Sequence, residues 1–243
     1  MSDPTDRQTK ILKAVIEEYI DSAEPVSSEL LEKKYTLGVS PATIRNEMAD
    51  LTQLGYLKQP HTSSGRVPTP HGLKYYIRNL MPQKDLSVVE EVTAKEKIWD
   101  ARDNLDKLLR QTTAELASRT KTLAVAATDS GDLYYSGTSN ILDMPEFFDI
   151  EVTRHVLELL DEYQHLQDLF FHRPYADEPV HIVMGEDLDW PFMDPVGFVF
   201  SNFHLGDRLG TVGVIGPCRL NYPHVIPTVR YFGNLINELG RRW

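Results

Sequence analysis

The stretch that decides the fold runs from Ser40 to Thr69: SPATIRNEMADLTQLGYLKQPHTSSGRVPT. Its first half carries the local signals of a helix. Ser40 is an N-cap residue, and Pro41 takes the first helical position, where a missing N–H costs nothing. Gly55 follows the last apolar residue, Leu54, as a C-terminal stop. Ile44, Met48 and Leu51 recur at helical spacing and share one face, the expected core face. The opposite face holds Ala42, Asn46, Ala49 and Gln53, flanked by Thr43, Arg45 and Asp50. The second half reads as two short strands, within YLKQ and RVPT, joined by PHTSSG into a small hairpin. Pro60 and Pro68 suit edge strands, which need not donate every ladder bond.

On the N-terminal side, Ile11, Leu12, Val15, Ile16, Tyr19 and Ile20 predict a helix from Thr5 to Ser22. Glu24-Pro25 breaks it, and Ser27 caps a short second helix reaching about Tyr35. On the C-terminal side, HGLKYYIRNLM predicts another amphipathic helix that closes the unit near Met81. Helix, helix, turn, helix, hairpin is the order of a winged helix-turn-helix, in which the third helix enters the major groove and the hairpin follows the backbone. The residue chemistry agrees with that use. Asn46 and Gln53 can pair with adenine, and the methyl groups of Ala42, Ala49 or Thr43 can meet thymine's methyl. Thr43 and Arg45 reach phosphates from the flanks. In the hairpin Ser63, Ser64 and Gly65 make a small, pliable tip flanked by His61 and Arg66, and Lys58, His61 and Arg66 are placed to serve phosphates. The candidate DNA-binding residues are therefore Ser40, Ala42, Thr43, Arg45, Asn46, Ala49, Gln53, Lys58, His61, Ser63, Ser64 and Arg66. Asp50 fits least, because a carboxylate repels phosphates.

Charge is distributed to match. The chain of 243 residues has a net charge of −11, yet up to Met81 ten basic residues balance ten acidic ones. From Leu51 to Lys84 the charged side chains are Lys58, Arg66, Lys74, Arg78 and Lys84, with no acid among them. A cation-only segment beside an acidic body is suited to docking on a polyanion. No apolar run approaches the roughly 18 residues that span a bilayer, and the polar N-terminus is no secretory signal. With Cys218 as the only cysteine, an intramolecular disulfide is impossible and a cytoplasmic location is expected.

Beyond Pro82 the texture changes. A linker is followed by one long helix, from about Leu86 to Arg119. TLAVAAT, LYYSGT, PVHIVMG, VGFVFSNF and GTVGVIG then read as strands, with helices near Glu146–Phe171 and Pro223–Arg241. This divides the chain into a winged helix-turn-helix domain (1–81), a linker and long helix (82–119), and an α+β domain (120–243). Neither catalytic nor cofactor chemistry stands out. His155, His165, His172 and His181 lack metal-ligand spacing with cysteine. GTVGVIG lies within a strand and lacks the dinucleotide spacing. Glu186, Asp187 and Asp189 read as a solvated loop. No enzyme, no metal and no cofactor are expected.

The segment from Glu24 to Met81, with its SPATIRNEMADL helix and QPHTSSGRVPT hairpin, resembles the heat-inducible transcription repressor HrcA family. The resemblance continues in YYSGTSNILDMPEF, HIVMGED and GTVGVIGPCRLNYPHVIP. It implies a GAF-like fold for about Thr120 to Trp243. It also implies a bacterial repressor that binds, as a homodimer, an inverted-repeat operator ahead of chaperone genes, with GroE chaperonin as a partner of the active form. Family members are usually longer, with an inserted dimerisation segment that this chain is too short to hold in full. Cys218 and Asn221 stand where the family pattern has Thr and Asp. The long helix from Leu86 and the C-terminal helix are the candidate contacts between subunits. The alternative is a metabolite-sensing regulator whose GAF-like domain binds a small molecule.

Overall fold

The computed structural model describes residues 3–175, 178–205 and 208–240. The chain forms two compact units, 1–82 and 83–243.

In the first unit α1 spans Asp6–Ser22, α2 Ser28–Lys34 and α3 Pro41–Gln53. Each begins on a hydroxyl cap: Thr5, Ser27 and Ser40 accept from the backbone N–H of Gln8, Leu30 and Thr43. Two-residue strands β1 (Leu57–Lys58) and β2 (Val67–Pro68) pair antiparallel. Helix α4 (Pro70–Tyr75) continues into a π-helical turn, Tyr76–Leu80. Ile44, Met48 and Leu51 are all buried, as their spacing predicts, and α3 packs on α1 and α2, where Ile11, Leu12, Val15, Ile16 and Leu31 are buried as well. Each such aliphatic side chain contributes about 1.5–3 kcal/mol when removed from water.

Two carboxylates sink into this unit with their cations. Glu47 of α3 accepts from Arg7 of α1 at 2.5 Å. Glu18 of α1 accepts two bonds from Lys34 at 2.9 Å. Burying a charge is tolerable only with such a partner, so these pairs fix α1 against α3 and α2.

One pairing of the hairpin was not expected from the sequence. Val26, just after the Glu24-Pro25 break, exchanges both backbone hydrogen bonds with Arg66, at 2.9 and 2.8 Å. The segment read as a helix breaker is thus also a third edge of the hairpin. Gly65 is needed there for a different reason than pliability: a Cβ on it would lie 2.3 Å from the Val26 carbonyl oxygen.

The second unit corrects the expectation of one long helix. Residues 86–119 form two helices, α5 (Val88–Trp99) and α6 (Leu105–Thr120). Asn104 restarts the chain as an N-cap, its side chain accepting from the Lys107 N–H at 2.9 Å. Both helices belong to the second compact unit.

Five antiparallel strands follow: β3 (Leu123–Thr128), β4 (Leu133–Ser136), β5 (His181–Met184), β6 (Val196–Leu205) and β7 (Arg208–Pro217). Their order is β4-β3-β7-β6-β5. Alternate residues point to opposite faces. Leu123, Val125, Phe198, Phe200 and Ile215 pack under α7 (Ile150–Asp161), α8 (Tyr163–Gln167) and the π-helical turn after it, Asp168–His172. The other face is covered by α6 and by α9 (Tyr222–Gly240).

Helix α9 is buried along most of its length, and α5 lies beside it. The Tyr231 hydroxyl donates to the Glu91 carbonyl at 2.7 Å and Lys95 pairs with Glu238 at 2.7 Å. The C-terminal helix, expected as a subunit contact, has its apolar surface engaged within the unit. On α5, by contrast, Val88, Val89 and Val92 are 75%, 74% and 50% exposed. No helix among the described residues is long and apolar enough to cross a membrane.

Candidate nucleic-acid interface

Helix α3 presents the outward face that its sequence predicts. Ala42, Asn46 and Gln53 are exposed and Ala49 is half-buried. Among the described residues the side-chain amides of Asn46 and Gln53 have no hydrogen-bond partner. Their donors and acceptors are open, and the small alanines between them leave room for close approach. The two flanks differ. Thr43 and Asp50 lie on one, Arg45 and Thr52 on the other, and the second flank meets the hairpin through Thr52 and Arg66. Asp50 therefore lies on the flank away from the hairpin.

The predicted phosphate ligands are less free than their chemistry suggests. The Ser40 hydroxyl caps α3 and lies 3.1 Å from the Thr43 hydroxyl. Arg45 donates to Glu29, in the first turn of α2, at 2.5 Å. The Arg66 Nε–H donates to Thr52 Oγ1 at 3.1 Å, and that hydroxyl donates on to the Met48 carbonyl at 2.8 Å. Arg66 therefore lies back along α3 and does not project from the hairpin tip. The tip itself is tied together. Gln59 donates to the Thr62 and Ser64 carbonyls at 2.9 and 3.0 Å, and the Ser64 hydroxyl bonds both the N–H and the carbonyl of His61. Lys58, His61 and Ser63 remain exposed.

Between the start of α2, the Arg45 flank of α3 and the hairpin lies a cleft of ≈ 440 Å³. Arg45, Gln59, Ser63, Ser64 and Arg66 line it together with Glu29. Glu29 and Gln59 were not singled out by sequence. Glu29 lies on the polar side of a short helix, where nothing local distinguishes it from Glu32 or Lys33. Gln59 follows a strand too short to show alternation.

The second unit offers little chemistry. A cleft of ≈ 220 Å³ lies among His155, Glu158, Leu159, Glu162, His165, Trp190, Pro191 and Met193. That is below the roughly 300 Å³ at which small-molecule pockets begin. No group of three His, Cys, Asp or Glu among the described residues could hold a metal ion. Burial pushes the Cys218 thiol up to about 12, so it stays protonated and unreactive near neutrality.

Residues 72–226 match the profile of the HrcA protein C-terminal domain. The chain belongs to the HrcA family. The heat-inducible transcription repressor HrcA of Symbiobacterium thermophilum is 29% identical over 337 residues, covering 97% of this chain and 98% of the relative. That of Clostridium botulinum strain Alaska E43 is 29% identical over 343 residues, covering 97% and 99%. Both alignments are longer than the 243 residues of this chain, so these HrcA relatives carry stretches that it lacks. A crystal structure at 2.2 Å of a protein described as hypothetical has the same fold, with a TM-score of 0.76 at 19% identity and 98% of each chain covered. The family is one of heat-inducible transcription repressors, and this chain is such a repressor.

Proposed function

We propose that residues 1–81 act as a winged helix-turn-helix, with α3 in the major groove of an operator and the hairpin along its backbone. The observation that carries this is the outward face of α3, with two unpartnered side-chain amides set between alanines. Asn46 and Gln53 read bases, while Thr43, Lys58, His61, Ser63 and Arg66 meet phosphates. Ser40 and Ser64 serve mainly by holding the α3 start and the hairpin tip in shape.

The chain binds as a homodimer, which places two recognition helices on the half-sites of an inverted repeat. The subunit contact uses α5, where Val88, Val89 and Val92 form an exposed apolar ridge. The operator lies ahead of chaperone genes, and GroE chaperonin supports the active form, as the HrcA resemblance implies. The body from Thr120 onward is a GAF-like domain. Its antiparallel sheet with helices on both faces supports that assignment. The sheet face under α7 is filled by Phe147, Phe170, Phe198 and Phe200, which favours a structural over a metabolite-sensing role.

Titration of the full chain against an inverted-repeat operator and a duplex of mixed sequence, with a mass measurement of the complex, tests this. Tighter binding to the operator with two chains per site is expected. Equal affinity for both duplexes overturns the base-reading role. A one-chain complex, or a dimer that Val89→Asp leaves intact, overturns the α5 contact.

A further inference from the structure

We propose that Glu29 competes with DNA for Arg45. Its carboxylate holds the guanidinium that a phosphate would otherwise engage, and so weakens binding to duplexes of any sequence. This role rests on the DNA-binding assignment above.

The geometry points to exchange. Arg45 Nη2 lies 2.5 Å from Glu29 Oε1, and the two side chains are 68% and 52% exposed. A pair so open to water is readily screened by salt and replaced by another partner. Its surroundings supply that partner's site. The ≈ 440 Å³ cleft that both residues line also presents Ser27, Ser63, Gln59 and Arg66. Hydroxyls, an amide and guanidinium groups form a phosphate-binding set. Glu29 is the one carboxylate in that lining. Glu29 also stays ionised, because its own backbone N–H, then the Ser28 hydroxyl and the Arg45 charge, hold it below the ordinary carboxylate range.

Arg66, in the same cleft, is held by the neutral Thr52 hydroxyl. A phosphate meeting Arg66 displaces no charge. A phosphate meeting Arg45 must displace Glu29, which then faces the phosphate as a like charge and gathers a cation of its own. That uptake cancels one released counterion. Because phosphates carry no sequence information, the penalty falls on operator and random DNA alike.

Glu29→Gln keeps the shape and removes the charge. Anisotropy titrations of a labelled mixed-sequence duplex with the full chain, over a salt series, read the result. The variant should bind several-fold tighter at low salt, with the slope of log K against log salt steeper by about 0.9. Glu29→Ala should show the same gain. In an Arg45→Gln background the gain should vanish. Weaker binding by Glu29→Gln would make Glu29 a residue that orients Arg45, and so overturn the competition. Unchanged binding, or a gain that persists without Arg45, overturns it as well. If the unaltered chain binds no duplex even at low salt, the DNA-binding assignment falls and the competition with it. If it binds and Glu29→Gln changes nothing, the competition alone falls.

Discussion

The outward face of α3 and the hairpin lie side by side, yet they treat their polar groups in opposite ways. On α3 the Asn46 and Gln53 amides are left open. On the hairpin Gln59, Ser64 and Arg66 are each engaged by the chain itself. The difference follows from what holds each in place. A helix is fixed by its own backbone bonds, so its outward side chains need no further support. Strands of two residues have almost no ladder, so the hairpin takes its shape from side chains and from the Val26 edge. On the proposed reading, a surface that reads bases must keep its hydrogen-bonding groups available. A surface proposed to position the DNA backbone gains more from being built before DNA arrives, because less order is lost on binding.

Breaking the shape of the hairpin should have the largest effect. Gly65→Val places a side chain where even a Cβ would meet the Val26 carbonyl at 2.3 Å. Overpacking of this kind costs about 1–3 kcal/mol, seen as a lower melting temperature of the N-terminal unit. It should also cost affinity for operator and mixed-sequence DNA together. An unchanged melt with unchanged binding would show that the Val26 edge does not position the hairpin. Asn46→Ala tests the other half of the contrast. It removes an open amide and no internal bond, so stability should hold while operator affinity falls by about 1–3 kcal/mol and mixed-sequence affinity stays. A matching fall on both duplexes would place Asn46 on phosphate instead.

The same contrast explains what the sequence disclosed. Local signals were readable: the Ser40 cap, Pro41, the Ile44–Met48–Leu51 face and the turn at Gly55, whose φ of 81° is the left-handed value that favours glycine. The strands β3 to β7 were readable too, each as an apolar run between turn residues. Three features were missed. Two depend on partners distant in sequence, namely the Val26–Arg66 bridge and the Arg45–Glu29 pair, and no spacing rule reaches across them. The third, the break between α5 and α6, did leave a local mark in Asn104 followed by Leu105. The apolar residues on both sides kept a helical rhythm and hid it. Gly65 shows the limit most clearly, because a glycine needed for close approach looks the same in sequence as one needed for pliability.

The two smallest effects separate the charge of Arg66 from its placement. Arg66→Ala removes a cation, so operator and mixed-sequence affinity should fall together and the salt slope should flatten by about 0.9 if one phosphate is lost. Thr52→Val leaves the charge and removes only the hydroxyl that accepts from Arg66 at 3.1 Å. That hydroxyl also donates to the Met48 carbonyl within α3, a bond that adds little to a helix already paired along its backbone. The valine keeps the volume, so the melting temperature should move by no more than an ordinary surface change, about 0.5 kcal/mol. Binding should weaken slightly at every salt concentration with the slope unchanged, because the same phosphate is met by an arginine that must first be ordered. A slope that flattens in Thr52→Val as far as it does in Arg66→Ala would mean that the guanidinium, once released from Thr52, no longer reaches the backbone at all. The hydroxyl would then be as necessary to the contact as the charge.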